Sequence, residues 1–235
     1  MKKITSISKH NWFIRFVKSV IRTFRKAPDI ISSKEPLPNT AIFIANHCGA
    51  AGPITLNIYF PKILVPWGAH QMMENYSSRW SYLYQTFYRK KLKYSKLCSF
   101  ILATLFGLIS KILYNGVHLV ATYPDIRVRE TIENSLEHLR HQNSIVIFPE
   151  DSSGGYKDEI RSFHSGFVYL AYQFFKKTGT HIPIIPLYYH RKYGQILIGK
   201  AYTLANFSNT KNRKQIAEQF RIILNKMAKI YPSEL

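Results

Sequence analysis

The chain has 235 residues, 46% of them hydrophobic and 14% aromatic, with 33 Lys and Arg against 13 Asp and Glu for a net charge of +20. That apolar content excludes a disordered basic tail, and the length suits one large domain with a full core. So much positive charge beside so much apolar surface calls for an anionic partner, either nucleic acid or a membrane surface.

The charge is concentrated early. Residues 1–100 hold 16 Lys and Arg against three acids (Asp29, Glu35 and Glu74), a net of +13, while the other 135 residues hold 17 against ten, a net of +7. From Asn11 to Lys26, apolar residues at Trp12, Phe13, Phe16, Val17, Val20, Ile21 and Phe24 recur at helical spacing. Asn11 is the expected N-cap, and Pro28 and Asp29 the stop. The pattern predicts an interfacial helix with Trp12, Phe13, Phe16 and Phe24 in the acyl boundary and Arg15, Lys18 and Arg22 toward acidic headgroups. An ordinary amphipathic helix docked on the domain is the alternative. A nucleic-acid helix has little use for four large aromatics on one stripe, so the membrane is the favoured partner. The interruption by Arg15, Lys18 and Arg22 does not fit a secretory signal peptide.

Pro36 to Asn39 reads as a linker, placing an N-terminal segment at 1–35 and a domain at 36–235. Ala41–Ala45 is a short apolar run expected as a buried strand, followed by strands near Ile63–Val65 and Val117–Ala121. A basic cluster, Arg89, Lys90, Lys91, Lys93 and Lys96, precedes the longest apolar run, Leu97–Leu113, where Lys111 is the one charged residue. As a helix that run reaches about 25 Å, short of the roughly 30 Å hydrocarbon core, so a buried or interfacial helix is expected over a clean span. Helical spacing marks 127–141, 164–177 and 210–229; strands are expected at 144–148, 182–188 and 195–198. This alternation predicts an α/β fold, a mostly parallel central sheet flanked by helices. Two cysteines, Cys48 and Cys98, exclude a disulfide framework, no Cys/His spacing suits a metal, and a reducing cytoplasm is the default.

Sites in such sheets form where loops leave the carboxyl ends of strands. The first domain strand ends in Asn46-His47-Cys48-Gly49-Ala50-Ala51-Gly52-Pro53, and the 144–148 strand in Phe148-Pro149-Glu150-Asp151. A histidine just past one buried strand and a carboxylate pair just past another can meet at one sheet face, where imidazole acts as a general base.

With these blocks the sequence resembles the glycerophospholipid acyltransferase superfamily, which includes lysophosphatidate acyltransferases. Asn46, His47 and Pro53 fit its Asn-His-x4-Asp-Pro block, and Gly116–Val120 fits part of its Gly–apolar–Arg block. Phe148, Pro149 and Glu150 fit Phe-Pro-Glu-Gly, with Phe163 and Gly166 fitting a following Phe-x-x-Gly, and Ile184–Leu187 fits its proline-containing strand. The resemblance implies that His47 deprotonates a lipid hydroxyl, which attacks the thioester of an acyl-CoA or acyl-carrier protein, with no metal or cofactor in the chemistry. It implies acceptor binding by Asn46, Gly52, Phe148, Pro149 and Glu150, with Arg161 and His164 as headgroup candidates, on a protein peripheral to the cytoplasmic face of a membrane.

The departures are equally specific. Gly52 stands where the family has the histidine-orienting Asp, Gly49 where a Ser is common, Thr122 where the block-two Arg falls, and Asp151 where the Phe-Pro-Glu-Gly glycine falls. An acid lost at 52 and gained at 151 makes Asp151 the expected partner of His47. A catalytically impaired, lipid- or acyl-CoA-binding homologue is the first alternative. Cys48 as a nucleophile and a basic nucleic-acid-binding protein are the others; nothing here reads as a helix-turn-helix, zinc finger or aromatic RNA-reading motif.

Overall fold

The computed structural model describes residues 4–32, 36–152, 154–156, 159–207, 209–210 and 212–230. Apolar runs covered on both faces form the middle of a seven-stranded sheet: β2 (Ile42–Ala45) and β5 (Ser144–Ile147) are buried at every position. Around them lie β3 (Leu64–Ala69), β4 (Val120–Thr122), β6 (Ile184–His190), β7 (Gln195–Ile198) and β1 (Asp29–Ser32), in the order β1-β7-β6-β2-β5-β3-β4. The strands β6, β2, β5, β3 and β4 run parallel; β7 is antiparallel to β6, and β1 is parallel to β7. The sheet is therefore mostly parallel, as expected.

Period-two alternation splits each strand between two layers. Ile42, Ile44, Ile145 and Ile147 pack with Ile132 and Leu136 of α5 (Val128–Arg140), Phe167 and Leu170 of α6 (Gly166–Thr178), and Phe220 and Leu224 of α7 (Arg213–Met227). On the opposite face Phe43, Ala45 and Val146 meet Leu56 and Phe60 around α2 (Ala51–Tyr59).

Three expectations change. The segment before residue 36 is not separate from the domain, because β1 extends the sheet by pairing Asp29–Ser32 with Gln195–Ile198; the boundary itself, at 33–35, lies outside the described residues. The first helix, α1 (Trp12–Phe24), is capped by Asn11, whose side chain accepts from Ile14 N at 2.9 Å, yet only Ile14 is fully buried. Lys18 Nζ donates to the Asn57 carbonyl and Arg22 Nη2 to that of Ile58, both at 2.5 Å, so these two cations serve the carbonyl end of α2 rather than facing outward. Burial and the Arg22 charge bring the Lys18 ammonium down to about 8. Trp12, Phe16, Val20 and Phe24 form an exposed ridge, and Phe13 is half-buried.

The third change concerns 70–116. A turn of 3₁₀ helix (His70–Met73) leads into α3 (Tyr76–Ser81), which continues as a ten-residue π-helical stretch, Tyr82–Lys91, and turns back as α4 (Lys96–Gly116). With 21 residues α4 spans about 32 Å, and it is, among the described residues, the one helix long and apolar enough to cross a membrane. Its fully buried residues are small, Leu102, Phe106 and Tyr114 are half-buried against Met72, Leu83 and Tyr88, and seven other large apolar side chains are exposed.

Candidate active site

Because β2, β5, β3 and β4 are parallel, their carboxyl ends share one edge of the sheet, and the chain leaving each delivers residues there. After β2 the backbone turns through Cys48 (φ 45°) and Gly49 (φ 65°), two consecutive left-handed residues, before α2 begins. For cysteine that conformation carries steric strain, of the order of 1 kcal/mol or more. The turn folds the chain so tightly that Gly52 N donates to the His47 carbonyl at 3.2 Å.

That close approach explains the missing acid. A Cβ on Gly52 would sit 2.5 Å from the His47 carbonyl oxygen and 2.8 Å from that of Asn46. No side chain fits there without moving the backbone, so an Asp at 52 and this turn exclude each other. The orienting contact comes from the backbone instead. His47 Nδ1 makes a short hydrogen bond to the Gly49 carbonyl, and since a carbonyl only accepts, Nδ1 carries the proton and Nε2 keeps the lone pair. Asp151, expected as the partner, is exposed, and its charge is felt by Lys91.

The two strand-end blocks do meet. His47 N donates to Glu150 Oε1 at 2.7 Å, tying the β2 turn to the loop after β5. Glu150 is further fixed by a bridge to Phe163, and His164 N donates to the Pro149 carbonyl at 2.8 Å. Burial raises the Glu150 carboxyl to about 7, against the opposing bond from His47 N. The His47 ring stacks 4.6 Å from Tyr156 and meets the tilted ring of Phe148 at 5.1 Å. Burial pushes its pKa down to about 4; the Gly49 bond opposes this and the Lys91 charge adds to it.

Other expected residues divide. Both polar ends of the Asn46 side chain engage the backbone of Tyr189, Nδ2 donating at 3.1 Å and Oδ1 accepting at 2.7 Å, so Asn46 prolongs the β2–β6 pairing. Pro149 is buried. Arg161 is exposed and lines, with Glu150, Asp151, Gly155 and Ser162, a cavity of about 200 Å³ beside the histidine loop. The His164 side chain is exposed. Thr122, at the block-two Arg position, donates its hydroxyl to the Gly68 carbonyl at 2.9 Å. Arg127 pairs with Asp125 at 2.6 Å and Arg129 with Glu133 at 3.0 Å, both on the surface. Among the described residues no group of three or more His, Cys, Asp or Glu could hold a metal ion.

Two features have no precursor in the sequence reading. Lys91, the last residue of the π-helical stretch, extends its ammonium to Ser152 Oγ at 2.8 Å and lies 5.9 Å from the Tyr156 ring, putting a half-buried cation beside His47. Desolvation lowers its pKa, and Asp151 raises it. Nothing local marked Lys91 out from its basic neighbours; only the fold returns it to a site 44 positions upstream. At the end of β3, His70 Nδ1 bonds Glu74 Oε1 at 2.6 Å and stacks 4.9 Å from Tyr123 at the end of β4. The i,i+4 spacing of that pair was a legible signal.

No family model matches the chain, and neither does any curated protein. Among solved structures, the crystal structure of the 1-acyl-sn-glycerophosphate (LPA) acyltransferase PlsC from Thermotoga maritima matches with a TM-score of 0.51 at 13% identity. The match covers 93% of this chain and 80% of that one. The two share an α/β fold.

Proposed function

We propose that the protein transfers a fatty acyl group from an acyl thioester, acyl-CoA or acyl-carrier protein, to a hydroxyl of a lysophospholipid or related lipid. The observation that carries this reading is the 2.7 Å bond from His47 N to Glu150, which brings the two blocks to one site at the carboxyl edge of the sheet. His47 is the base: Gly49 holds Nδ1–H, and Nε2 takes the acceptor's proton as its oxygen attacks the thioester carbon. The tetrahedral intermediate collapses by breaking the C–S bond, and Nε2 passes the proton to the departing thiolate, leaving an ester and a thiol. Burial keeps the ring neutral throughout the ordinary pH range, so the Nε2 lone pair is available to take the proton. Lys91 supplies the positive charge that the block-two Arg would have provided, suited to a phosphate or to the intermediate's oxyanion. The reaction so written needs no metal or cofactor.

The acceptor and product are lipids, and the exposed ridge Trp12, Phe16, Val20 and Phe24, with Arg15 exposed beside it, supports docking on an anionic membrane surface. The cytoplasmic face is the proposed location.

The test is thiol release from acyl-CoA or acyl-carrier protein with a panel of lysolipids. His47→Ala should lower kcat by about 10³ or more, with the thermal midpoint within a few degrees of wild type. Acyl-CoA binding without thiol release from wild type on any acceptor would instead favour a lipid-binding homologue. A second base candidate follows from the His70–Glu74 pair, since it has the carboxylate that His47 lacks. Turnover that survives His47→Ala and is lost in His70→Ala would move the chemistry there.

A further inference from the structure

The hairpin of α3, the π-helical stretch and α4 belongs to neither sheet face and contributes one residue, Lys91, to the site just described. Its outer helix leaves a long apolar ridge uncovered. Leu97, Ile101, Leu105, Leu108 and Ile112 follow one another at steps of three and four along α4, flanked by Phe100 and Ile109, and all seven are exposed. Leu97 is 72% exposed and Leu105 and Leu108 are each 60% exposed. Lys111 is the one charged residue among the exposed positions from 97 to 112. The opposite face presents Ser99, Ala103, Gly107 and Ser110, all buried. A helix covering a soluble core turns its charges outward; α4 packs Leu102, Phe106 and Tyr114 inward and still turns seven further large apolar side chains outward.

The inner face is locked. Arg79, itself buried, donates through Nε and Nη2 to the Gly107 carbonyl at 3.2 and 3.1 Å, and Trp80 Nε1 donates to Thr104 Oγ1 at 3.0 Å. A Cβ on Gly107 would already stand 3.2 Å from Tyr76, so α4 lies directly on α3. Crossing a bilayer would carry the Arg79 guanidinium into hydrocarbon along with α4, at a cost of several kcal/mol. Lying flat exposes only the apolar ridge.

Charge selects the occupant. Residues 75–116 contain seven Lys and Arg and no Asp or Glu. Lys90, Lys93 and Lys96 are exposed at the N-terminal end of α4, where the helix dipole adds positive potential and the first turn holds no acid. A second copy of this face would bring the exposed Lys90, Lys93, Lys96 and Lys111 against cations of the same kind, with no acid between them. An anionic leaflet supplies the opposite charge and accepts the ridge at once.

We propose that α4 lies parallel to the membrane plane in the interface of an anionic leaflet. The ridge from Leu97 to Ile112, about 22 Å long, enters the acyl boundary, Lys90, Lys93 and Lys96 contact lipid phosphates, and Lys111 snorkels outward. This seat is additional to the α1 ridge. The two helices adjoin where Ile14 packs on Gly116 and His10 Nδ1 lies 3.3 Å from the Gly116 carbonyl. The basic end of α4 is the end that carries Lys91 to His47, so the seat puts the site entrance at headgroup level and deepens the lipid-acceptor reading.

The experiment is co-sedimentation of the full chain with phosphatidylcholine vesicles, with and without 30% phosphatidylglycerol, beside a Leu105→Glu/Leu108→Glu variant. Both substitutions are at exposed positions, and near-ultraviolet circular dichroism checks the fold. Wild type should partition strongly onto the anionic vesicles, and the variant about tenfold or more weakly, with turnover of detergent-dispersed acceptor unchanged. Equal partitioning of the two overturns the proposal. A wild-type dimer that the variant converts to monomer assigns the face to a second copy and also overturns it. The partition difference without any wild-type turnover would remove the acyl-transfer reading and leave the membrane seat standing.

Discussion

Two histidines stand at the same edge of the sheet and are held in opposite ways. His47, after β2, contacts the rings of Phe148 and Tyr156 and is oriented by a backbone carbonyl two residues on. His70, after β3, is oriented by the Glu74 carboxylate near the rim, where Glu74 also accepts from the Ser78 hydroxyl. By residue type the second is the more familiar catalytic arrangement, and yet only the first sits where the strand-end blocks converge. A carboxylate stabilises the imidazolium that forms as the base works; a carbonyl fixes the tautomer but brings no full charge. In the first site the full charge is that of Lys91, placed beside the ring rather than behind it.

Gly52→Asp separates the two arrangements most sharply. If an acid at 52 could orient His47, activity would rise. The 2.5 Å approach to the His47 carbonyl predicts the reverse: a loss of about 3 kcal/mol or more, a drop in thermal midpoint of roughly 6–12 °C, and loss of turnover. A stable Gly52→Asp protein with undiminished turnover would show that the turn is not obligatory.

Glu150→Gln has a smaller effect with a definite sign. The folded carboxyl titrates at about 7 against an ordinary 4.5, so the native state holds its proton more tightly than the unfolded chain. Wild-type stability therefore falls as pH rises from 4.5 to 7 on this account, while the glutamine, which keeps an oxygen for His47 N–H, removes that loss. The variant's thermal midpoint should exceed wild type by a few degrees at pH 8, with the gap closing by pH 4.5. A constant difference across that range would mean that Glu150 is not held protonated by burial.

Smallest is Glu74→Gln. A single half-buried hydrogen bond is worth about 1 kcal/mol, so the midpoint should move by less than roughly 4 °C, and acyl transfer should be nearly unchanged. A loss of turnover approaching that of His47→Ala would reverse the comparison between the histidines.

Much of the fold was legible because local pattern and tertiary role agree. The apolar runs of β2 and β5 are short and uninterrupted since both faces are covered, and the spacing of Ile132, Leu136 and Leu139 matches the buried side of α5. Where pattern was silent, a partner decided. Asp29–Ser32 looks like the end of a helix and the start of a linker, and becomes a strand because β7 offers an open edge. The stripe of α1 was correctly seen as helical, but periodicity could not say that Lys18 and Arg22 would turn to α2. At the site, His47 and Glu150 were readable from strand-end position. Gly52 as a steric exclusion, Lys91 and Tyr156 were not, because each depends on contacts across a turn or between distant segments.

The edge strand β1 also sets an order of events. Asp29 pairs with Gln195, so the strand that follows α1 has no place to bind until most of the remaining chain has been made. Closing such a long loop is slow, because entropy is spent before the contact stabilises anything. While the nascent chain grows, the segment from Asn11 to Ser32 is a basic, aromatic-rich tether waiting for its sheet. The final stitch of the domain draws that tether in beside β7, and the two strands run together against the parallel core.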